Sequence, residues 1–150
     1  MEHSENEALK SAAQKPAVWF RYVDDTFVIW SHGRTGLNQF LEFLNAQHPS
    51  IKFTMKIEQN GCLPFLDVSV RCNEDGTLSH QVYRKPTHTD RYLNAASRQH
   101  PSQKNSVISS LMYRALTISQ SSNVNSEVEH LETALAKNGY NIQQIRKVKR

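Results

Sequence analysis

Two adjacent aspartates, Asp24 and Asp25, stand between apolar runs, in the stretch that reads WFRYVDDTFVIW from Trp19 to Trp30. Neighbouring carboxylates repel each other, and holding them together between hydrophobic segments is unfavourable unless something offsets the repulsion. A divalent cation does so well. Hard cations such as Mg²⁺ take oxygen ligands, commonly one or two carboxylates completed by substrate phosphates and water. A hairpin tip that carries two aspartates out of a buried sheet therefore suits metal-assisted phosphoryl or nucleotidyl transfer. The same pair also suits a plain turn, because an Asp side chain bonds the local backbone and tolerates unusual dihedrals. Phe20 and Tyr22 before the pair, and Phe27, Val28, Ile29 and Trp30 after it, give both arms the composition of buried strands.

The elements that must position this tip are legible on both sides. Residues 2–13 have helical composition and end before Pro16, which starts the approach to the first arm. Ser31 to Gly36 reads as a loop with two glycines. Leu37, Phe40, Leu41 and Leu44 then fall on one helical face, and Pro49 ends that helix. Ile51, Phe53, Met55 and Ile57 alternate with Lys52, Thr54, Lys56 and Glu58, the pattern of a half-buried strand. Asn60-Gly61 is a turn signal. Leu63 to Arg71 reads as the next strand, with Leu66, Val68 and Val70 on one face and Asp67, Ser69 and Arg71 on the other. Asn73 to Gly76 turns the chain back, and Thr77 to Tyr83 completes a hairpin.

From Thr87 the composition turns polar, and residues 88–99 read as irregular. Pro101 opens a helix whose inner face carries Val107, Ile108, Leu111, Ala115 and Leu116. Gln120 to Asn125 reads as a loop. Ser126-Glu127-Val128-Glu129 has the form of a capping box at a helix start. Val128, Leu131 and Leu135 make that helix's inner stripe, with Gly139 as its C-cap. Asn141 caps a last short helix bearing Ile142, Ile145 and Val148. Three helices with brief turns have the outline of a helix-turn-helix.

The chain of 150 residues holds one domain, or a small domain with an appendage, and its formal net charge is +4. Between Gln81 and Arg114 the cations Arg84, Lys85, Arg91, Arg98, Lys104 and Arg114 face a single acid, Asp90. Such a stretch can track a phosphate backbone, or be an ordinary solvated surface. With Leu63 to Arg71 extended, Cys62 and Cys72 lie about 30 Å apart at roughly 3.3 Å per residue. That is too far for a disulfide, so both are expected as reduced thiols in an intracellular protein. The histidines show no metal-binding spacing. No apolar run approaches the length of a membrane span, and the acidic, polar N-terminus is unlike a signal peptide. The basic run from Arg146 to Arg150 reads as the exposed end of a helix, the edge of a longer domain, or a nuclear-import patch.

Tyr-Val-Asp-Asp between strand-like arms resembles the YxDD box of reverse transcriptases. LPFLDVSV from Leu63 to Val70 and VYRKPTHTDRYL from Val82 to Leu93, in this order and spacing, resemble the reverse transcriptases of Penelope-like retroelements. The likeness runs over nearly the whole chain. It implies an α+β fold: the C-terminal part of a reverse-transcriptase palm over residues 1–87, then a helical, thumb-like or helix-turn-helix-like segment over residues 88–150. The palm part would hold the YVDD hairpin, a helix, a strand and a hairpin in the place of the primer grip.

By the same resemblance, Asp24 and Asp25 are the catalytic Mg²⁺ ligands of an RNA-directed DNA polymerase, with Asp24 the principal one. Tyr22 and Val23 would lie beneath the primer terminus. Phe65, Leu66 and Asp67 would begin the primer-grip hairpin, or else Phe65 and Leu66 pack in the core, the reading preferred for Leu66. Arg84, Lys85 and Arg91 would meet primer or template phosphates, or be plain surface charge. Lys52 would be a general acid toward pyrophosphate, or lie on a solvated strand face. The partners implied are an RNA template, a DNA primer and deoxynucleotides, with no membrane, in the nucleus or cytoplasm. An earlier palm carboxylate and the fingers would precede residue 1, and an endonuclease domain can follow the thumb. The chain is thus expected to be a polymerase fragment, inactive alone. The alternative is a non-catalytic relic that binds nucleic acid through the basic stretch and the C-terminal helices.

Overall fold

A computed structural model describes residues 2–149, with side chains from residue 5 to residue 147. The protein is α+β, with two small antiparallel sheets and five helices among the described residues. It divides into two compact units, Met1–Ile57 and Glu58–Arg150. The sequence reading set its boundary at residues 87 and 88. The difference arises because the hairpin before that point packs with the helices after it. Gln120 donates its N–H to the His80 carbonyl, and the His80 ring meets the Ile118 carbonyl at 2.6 Å.

In the first unit α1 (Glu2–Ser11) precedes a hairpin of β1 (Val18–Tyr22) and β2 (Asp25–Ile29), followed by α2 (Gly33–Gln47). Val18 pairs with Ile29 and Tyr22 with Asp25, leaving Val23 and Asp24 as the two turn residues. Ala8, Ala12, Phe40 and Leu44 form the buried centre, against which Trp19, Trp30 and Phe53 pack. Trp30 stacks on Phe40 at 4.9 Å between ring centroids and donates its indole N–H to the Gly33 carbonyl. This wedge places Gly33 to Gly36 inside the first turn of α2, where a loop was expected.

The alternation of β1 turns Trp19 and Arg21 inward and Phe20 and Tyr22 outward. Phe20 is 66% exposed and Tyr22 61%, so the arms are not strands buried on both faces. Residues 51–57 keep the expected alternation of burial, yet no strand forms there, because no ladder neighbour lies alongside. The Asn45 side-chain amide substitutes for one. It accepts from the Phe53 N–H at 2.6 Å and donates to the Phe53 carbonyl at 3.0 Å.

The second unit opens with a meander of β3 (Cys62–Phe65), β4 (Val68–Cys72) and β5 (Leu78–Val82). Asn60 and Gly61 both have positive φ, the type I′ geometry their identity signals. The expected strand from Leu63 to Arg71 is instead two strands. The chain reverses at Leu66-Asp67, and Phe65 pairs with Val68. Leu66 is therefore an exposed turn residue rather than a member of the Val68 and Val70 face. The reversal also overturns the 30 Å separation of the cysteines. Cys62 pairs with Arg71, next to Cys72, so both thiols lie at one end of the hairpin. They remain free because adjacent positions along a strand point to opposite faces.

Three helices complete the unit: α3 (Pro101–Ile118), α4 (Ser121–Lys137) and α5 (Ile142–Lys149). Their core is Ile108, Met112 and Ala115 of α3, Val128, Leu131 and Leu135 of α4, Tyr140, and Ile145 of α5. Met112 occupies the place expected for Leu116, which is exposed. The Ser126 capping box is not a cap. The helix begins five residues earlier at Ser121, and the Ser126 hydroxyl donates to the Asn123 carbonyl within it. The end of α4 is as expected. Tyr140 N–H bonds the Leu135 carbonyl and Gly139 N–H the Ala136 carbonyl, a Schellman motif with Gly139 at φ 86. Asn141 caps α5 by accepting from the Gln143 N–H at 2.8 Å. The side chain of Val148, assigned to this helix's inner stripe, lies outside the described residues, as do those of Lys149 and Arg150.

Candidate functional site

The first candidate site is the tip of the β1–β2 hairpin. Val23 is held at φ 52, in the left-handed region that a β-branched residue enters only under strain. It turns the chain so that Asp24 sits at the apex and Asp25 opens β2. Tyr22, Val23, Asp24 and Asp25 are all exposed. Neither carboxylate has a hydrogen bond or ion pair to a described side chain, while Arg21, just before the tip, is engaged by Glu5 at 3.3 Å. Two free adjacent carboxylates fit part of a Mg²⁺ shell, which takes one or two carboxylates plus phosphate and water. Among the described residues no group of three His, Cys, Asp or Glu is placed to hold a metal. Lys52 lies apart from the tip, its ammonium donating to the Asn45 carbonyl at 2.7 Å in the last turn of α2.

The second candidate site is a cavity of about 430 Å³ inside the second unit, between the β3–β4 turn, the strand exit at Tyr83 to Thr89, and helices α3 and α4. Its walls include Arg84, Lys85, His88, Tyr92, Arg114 and Glu127. Arg84 forms a two-pronged ion pair with Glu127, Nη1 at 2.9 Å from Oε2 and Nη2 on Oε1. It also faces Asp90 at 3.8 Å. Asp90, at φ 53, is a hub: His88 and His130 each place Nε2 at 3.0 Å from its Oδ1. Partial burial pushes the Asp90 carboxyl up, but the hydrogen bond from His130 and the charges of His130, His88 and Arg84 outweigh it, so the net direction is down. Burial pushes the neighbouring Tyr92 phenol up.

The segment expected to be irregular, residues 88–99, has no regular element but is tied to the end of α4 and the connector beyond it. Asn138 accepts from the Tyr92 N–H and donates to the Asp90 carbonyl, and the Tyr140 hydroxyl donates to the Leu93 carbonyl. Of the basic stretch, Arg84 and Arg114 are thus neutralised locally, Arg114 by Asp67 at 3.0 Å, and Lys104 donates to the Ala95 carbonyl. Lys85 and Arg91 are exposed, with no hydrogen bond or ion pair from their side chains among the described residues. Phe65 lines the meander half-buried, opposite Val68.

Sequence reasoning named Glu127, Asp67 and Arg114 but not their pairing, and missed His130 and Asn138. The partners of Arg84 and Tyr92 lie 43 and 46 positions away, and nothing local marks them. The one available signal is Glu127 itself, an acid opposite a basic stretch.

A family model for an animal helix-turn-helix domain matches residues 91–150, the span from Arg91 through α3, α4 and α5. No curated protein and no solved structure matches the chain. The match fits a helix-turn-helix segment in the second unit of an α+β protein. Among the described residues no helix is long and apolar enough to cross a membrane.

Proposed function

We propose that this chain is the end of a reverse-transcriptase palm with the start of its thumb, a working part of an RNA-directed DNA polymerase. The observation that carries the reading is the YVDD tip: a strained, exposed turn that presents Asp24 and Asp25 with no partner among the described side chains. Asp24 and Asp25 would hold Mg²⁺, which supplies activation of the primer 3′-hydroxyl and stabilisation of the leaving pyrophosphate. Tyr22 and Val23, exposed beside them, would support the primer end. Lys85 and Arg91, exposed like Arg98 and without a side-chain partner among the described residues, would meet template or primer phosphates. Lys52, bound to a helix carbonyl, has no support as a general acid.

Nucleotidyl transfer needs a further carboxylate beside Asp24 and Asp25, and surfaces for the RNA template and deoxynucleotides. Residues 1–150 alone are therefore expected to give no primer extension with Mg²⁺ or Mn²⁺. Template-dependent incorporation by this chain that survives Asp24→Asn would sink the assignment of the tip as the metal site. Action in the nucleus or cytoplasm belongs to the same proposal.

A second reading is favoured by the helix-turn-helix match: residues 91–150 bind nucleic acid whether or not the tip is catalytic. Binding should fall steeply with salt, as phosphate contacts require. A titration in which affinity ignores salt, or shows no binding at low ionic strength, removes this reading.

A further inference from the structure

We propose that the cleft of about 430 Å³ in the second unit binds a small organic carboxylate, a monoanion with an apolar body about the size of one ring. The site needs neither the hairpin tip nor nucleic-acid binding by residues 91–150. Its volume falls within the range of about 300–1,000 Å³ common for ligand pockets. Its walls are held by bonds between different elements. Arg84, just after β5, reaches Glu127 of α4, and Arg114 of α3 reaches Asp67 in the β3–β4 turn. The irregular segment after β5 is fixed once more, because His130 of α4 holds Asp90 at 3.0 Å. A cleft braced in this way is formed before a ligand arrives, so binding pays little for ordering its walls.

The deep side of the cleft is apolar. Ala115 of α3 and Leu131 of α4 belong to the buried core, and Leu111 packs against it. Val82 and the exposed turn residue Leu66 carry that surface outward. Such a wall receives a ring or a short alkyl chain, whose burial is favourable, and offers nothing to a bare inorganic anion.

The charges on the wall select the sign and number of the ligand's own. Arg84, Lys85 and Arg114 stand against Asp67 and Glu127, an excess of one positive charge. Asp90 is not on the wall and is engaged by His88 and His130. Arg84 and Glu127 satisfy each other through their two-pronged contact. Lys85 is exposed, and its ammonium has no partner among the described residues. Arg114 is half-used: one Nη meets a single Asp67 oxygen at 3.0 Å, and Nε is buried without an acceptor. Its guanidinium is a fixed fork of five donors, matched to the two oxygens of a carboxylate. A ligand carboxylate therefore supplies the acceptors that Asp67 leaves wanting, with Lys85 as its second partner. A dianion exceeds the charge on offer, and a cation meets the wrong sign.

Nuclear magnetic resonance titration of the whole isotope-labelled chain tests this with four probes. Phenylacetate carries both parts of the ligand, phenylacetamide the body without the charge, acetate the charge without the body, and phenyl phosphate the body with a dianion. Phenylacetate should shift the amide signals of Thr87, Thr89 and Leu111 saturably, with a Kd of about 1 mM, ordinary for a ligand of its size. The other three should each bind about tenfold more weakly, or not at all. Lys85→Ala should weaken phenylacetate binding about tenfold by removing one charge-assisted hydrogen bond. Thr89→Trp, which fills the cleft from an exposed position, should abolish it. Arg98→Ala, an exposed cation of the same unit outside the cleft wall, should leave Kd unchanged. Circular dichroism melts confirm that each variant is folded, and Lys85→Ala decides where Thr89→Trp does not fold. No saturable shift up to about 20 mM phenylacetate overturns the assignment. So does phenylacetamide, acetate or phenyl phosphate bound as tightly as phenylacetate, or an unchanged Kd in Lys85→Ala.

Discussion

The β1–β2 and β3–β4 hairpins close on nearly the same turn and give their tip carboxylates different surroundings. In each, an apolar residue at positive φ precedes an aspartate: Val23 at 52° before Asp24, and Leu66 at 54° before Asp67. A non-glycine residue in that region costs on the order of 1–3 kcal/mol and persists only where the surroundings enforce it. Asp67 is met by Arg114 from α3. Asp24 and Asp25 are met by no described side chain of their own unit. An aspartate at a strained tip is therefore not a site in itself. The lack of a counter-charge among the described residues distinguishes the first tip from the second.

The largest effect that separates the tips is catalytic. In a complete polymerase containing this chain, Asp24→Asn should lower primer extension by about 10²–10³-fold, the loss typical of removing one preorganised charge-stabilising group. Asp67→Asn should leave extension within about twofold. Equal losses at both would erase the contrast.

Next comes the ion pair that closes the cavity behind the second tip. Arg84→Ala leaves Glu127, 12% exposed, without its counter-charge. Because Arg84 is itself 22% exposed, the cost should fall below the 3–5 kcal/mol of a fully buried pair, at about 2 kcal/mol in urea unfolding. Replacing both, Arg84→Met with Glu127→Leu, should recover most of it. A double variant no better than the single would mean that Arg84 acts chiefly through Asp90.

Asp90 makes the same neighbourhood pH-sensitive. Its carboxyl is held below the usual carboxylate range when folded, so its contribution is fully present above that range and is lost as pH falls through the folded value. Acid unfolding of the wild type should therefore be steeper than that of Asp90→Asn. Parallel acid limbs would remove Asp90 as a contributor.

How far this could be read from the sequence depended on whether the cause was local. Asn60-Gly61, Gly139 and Asn141 are turn and cap residues whose chemistry acts within a few positions, and each does what its identity implies. The Leu66-Asp67 reversal carries no glycine, proline or asparagine, and it passed for the middle of a strand. Ser126 to Glu129 satisfies the capping pattern, but the chain was already helical from Ser121, where tertiary packing of Val124 against the core rewards the extra turn. Residues 51–57 alternate correctly and still make no ladder, since alternation reports which face is buried and not whether a neighbour exists. At the sites, the exposed tip was legible, whereas the Arg84, Asp90 and Glu127 cluster was not, because it joins residues about 40 positions apart.

Strain offers a smaller test. Val23→Gly should relieve the turn and stabilise the first unit by about 1 kcal/mol, partly offset by the greater freedom of glycine in the unfolded chain. Leu66→Gly should gain less, because Leu lacks a β-branch. A loss at position 23 would show that the Val23 side chain packs usefully despite being 69% exposed.

The smallest expected effect is that of the Asp67–Arg114 pair itself. Asp67 is 68% exposed and Arg114 37%, so the pair sits in high dielectric and loses side-chain entropy to hold its geometry. A double-mutant cycle of Asp67→Asn and Arg114→Gln should give a coupling of about 0.5 kcal/mol, which screening in about 1 M salt should largely remove. The pair would then keep the second tip electrically occupied while contributing little to stability. Arg114 Nε complicates a larger role, since it is buried without a hydrogen-bond partner, so the arginine is only partly satisfied by Asp67. A coupling above about 2 kcal/mol that resists salt would mean the pair is effectively desolvated. The second tip would then be a rigid anchor, and its difference from the free carboxylates of Asp24 and Asp25 would be one of architecture as well as charge.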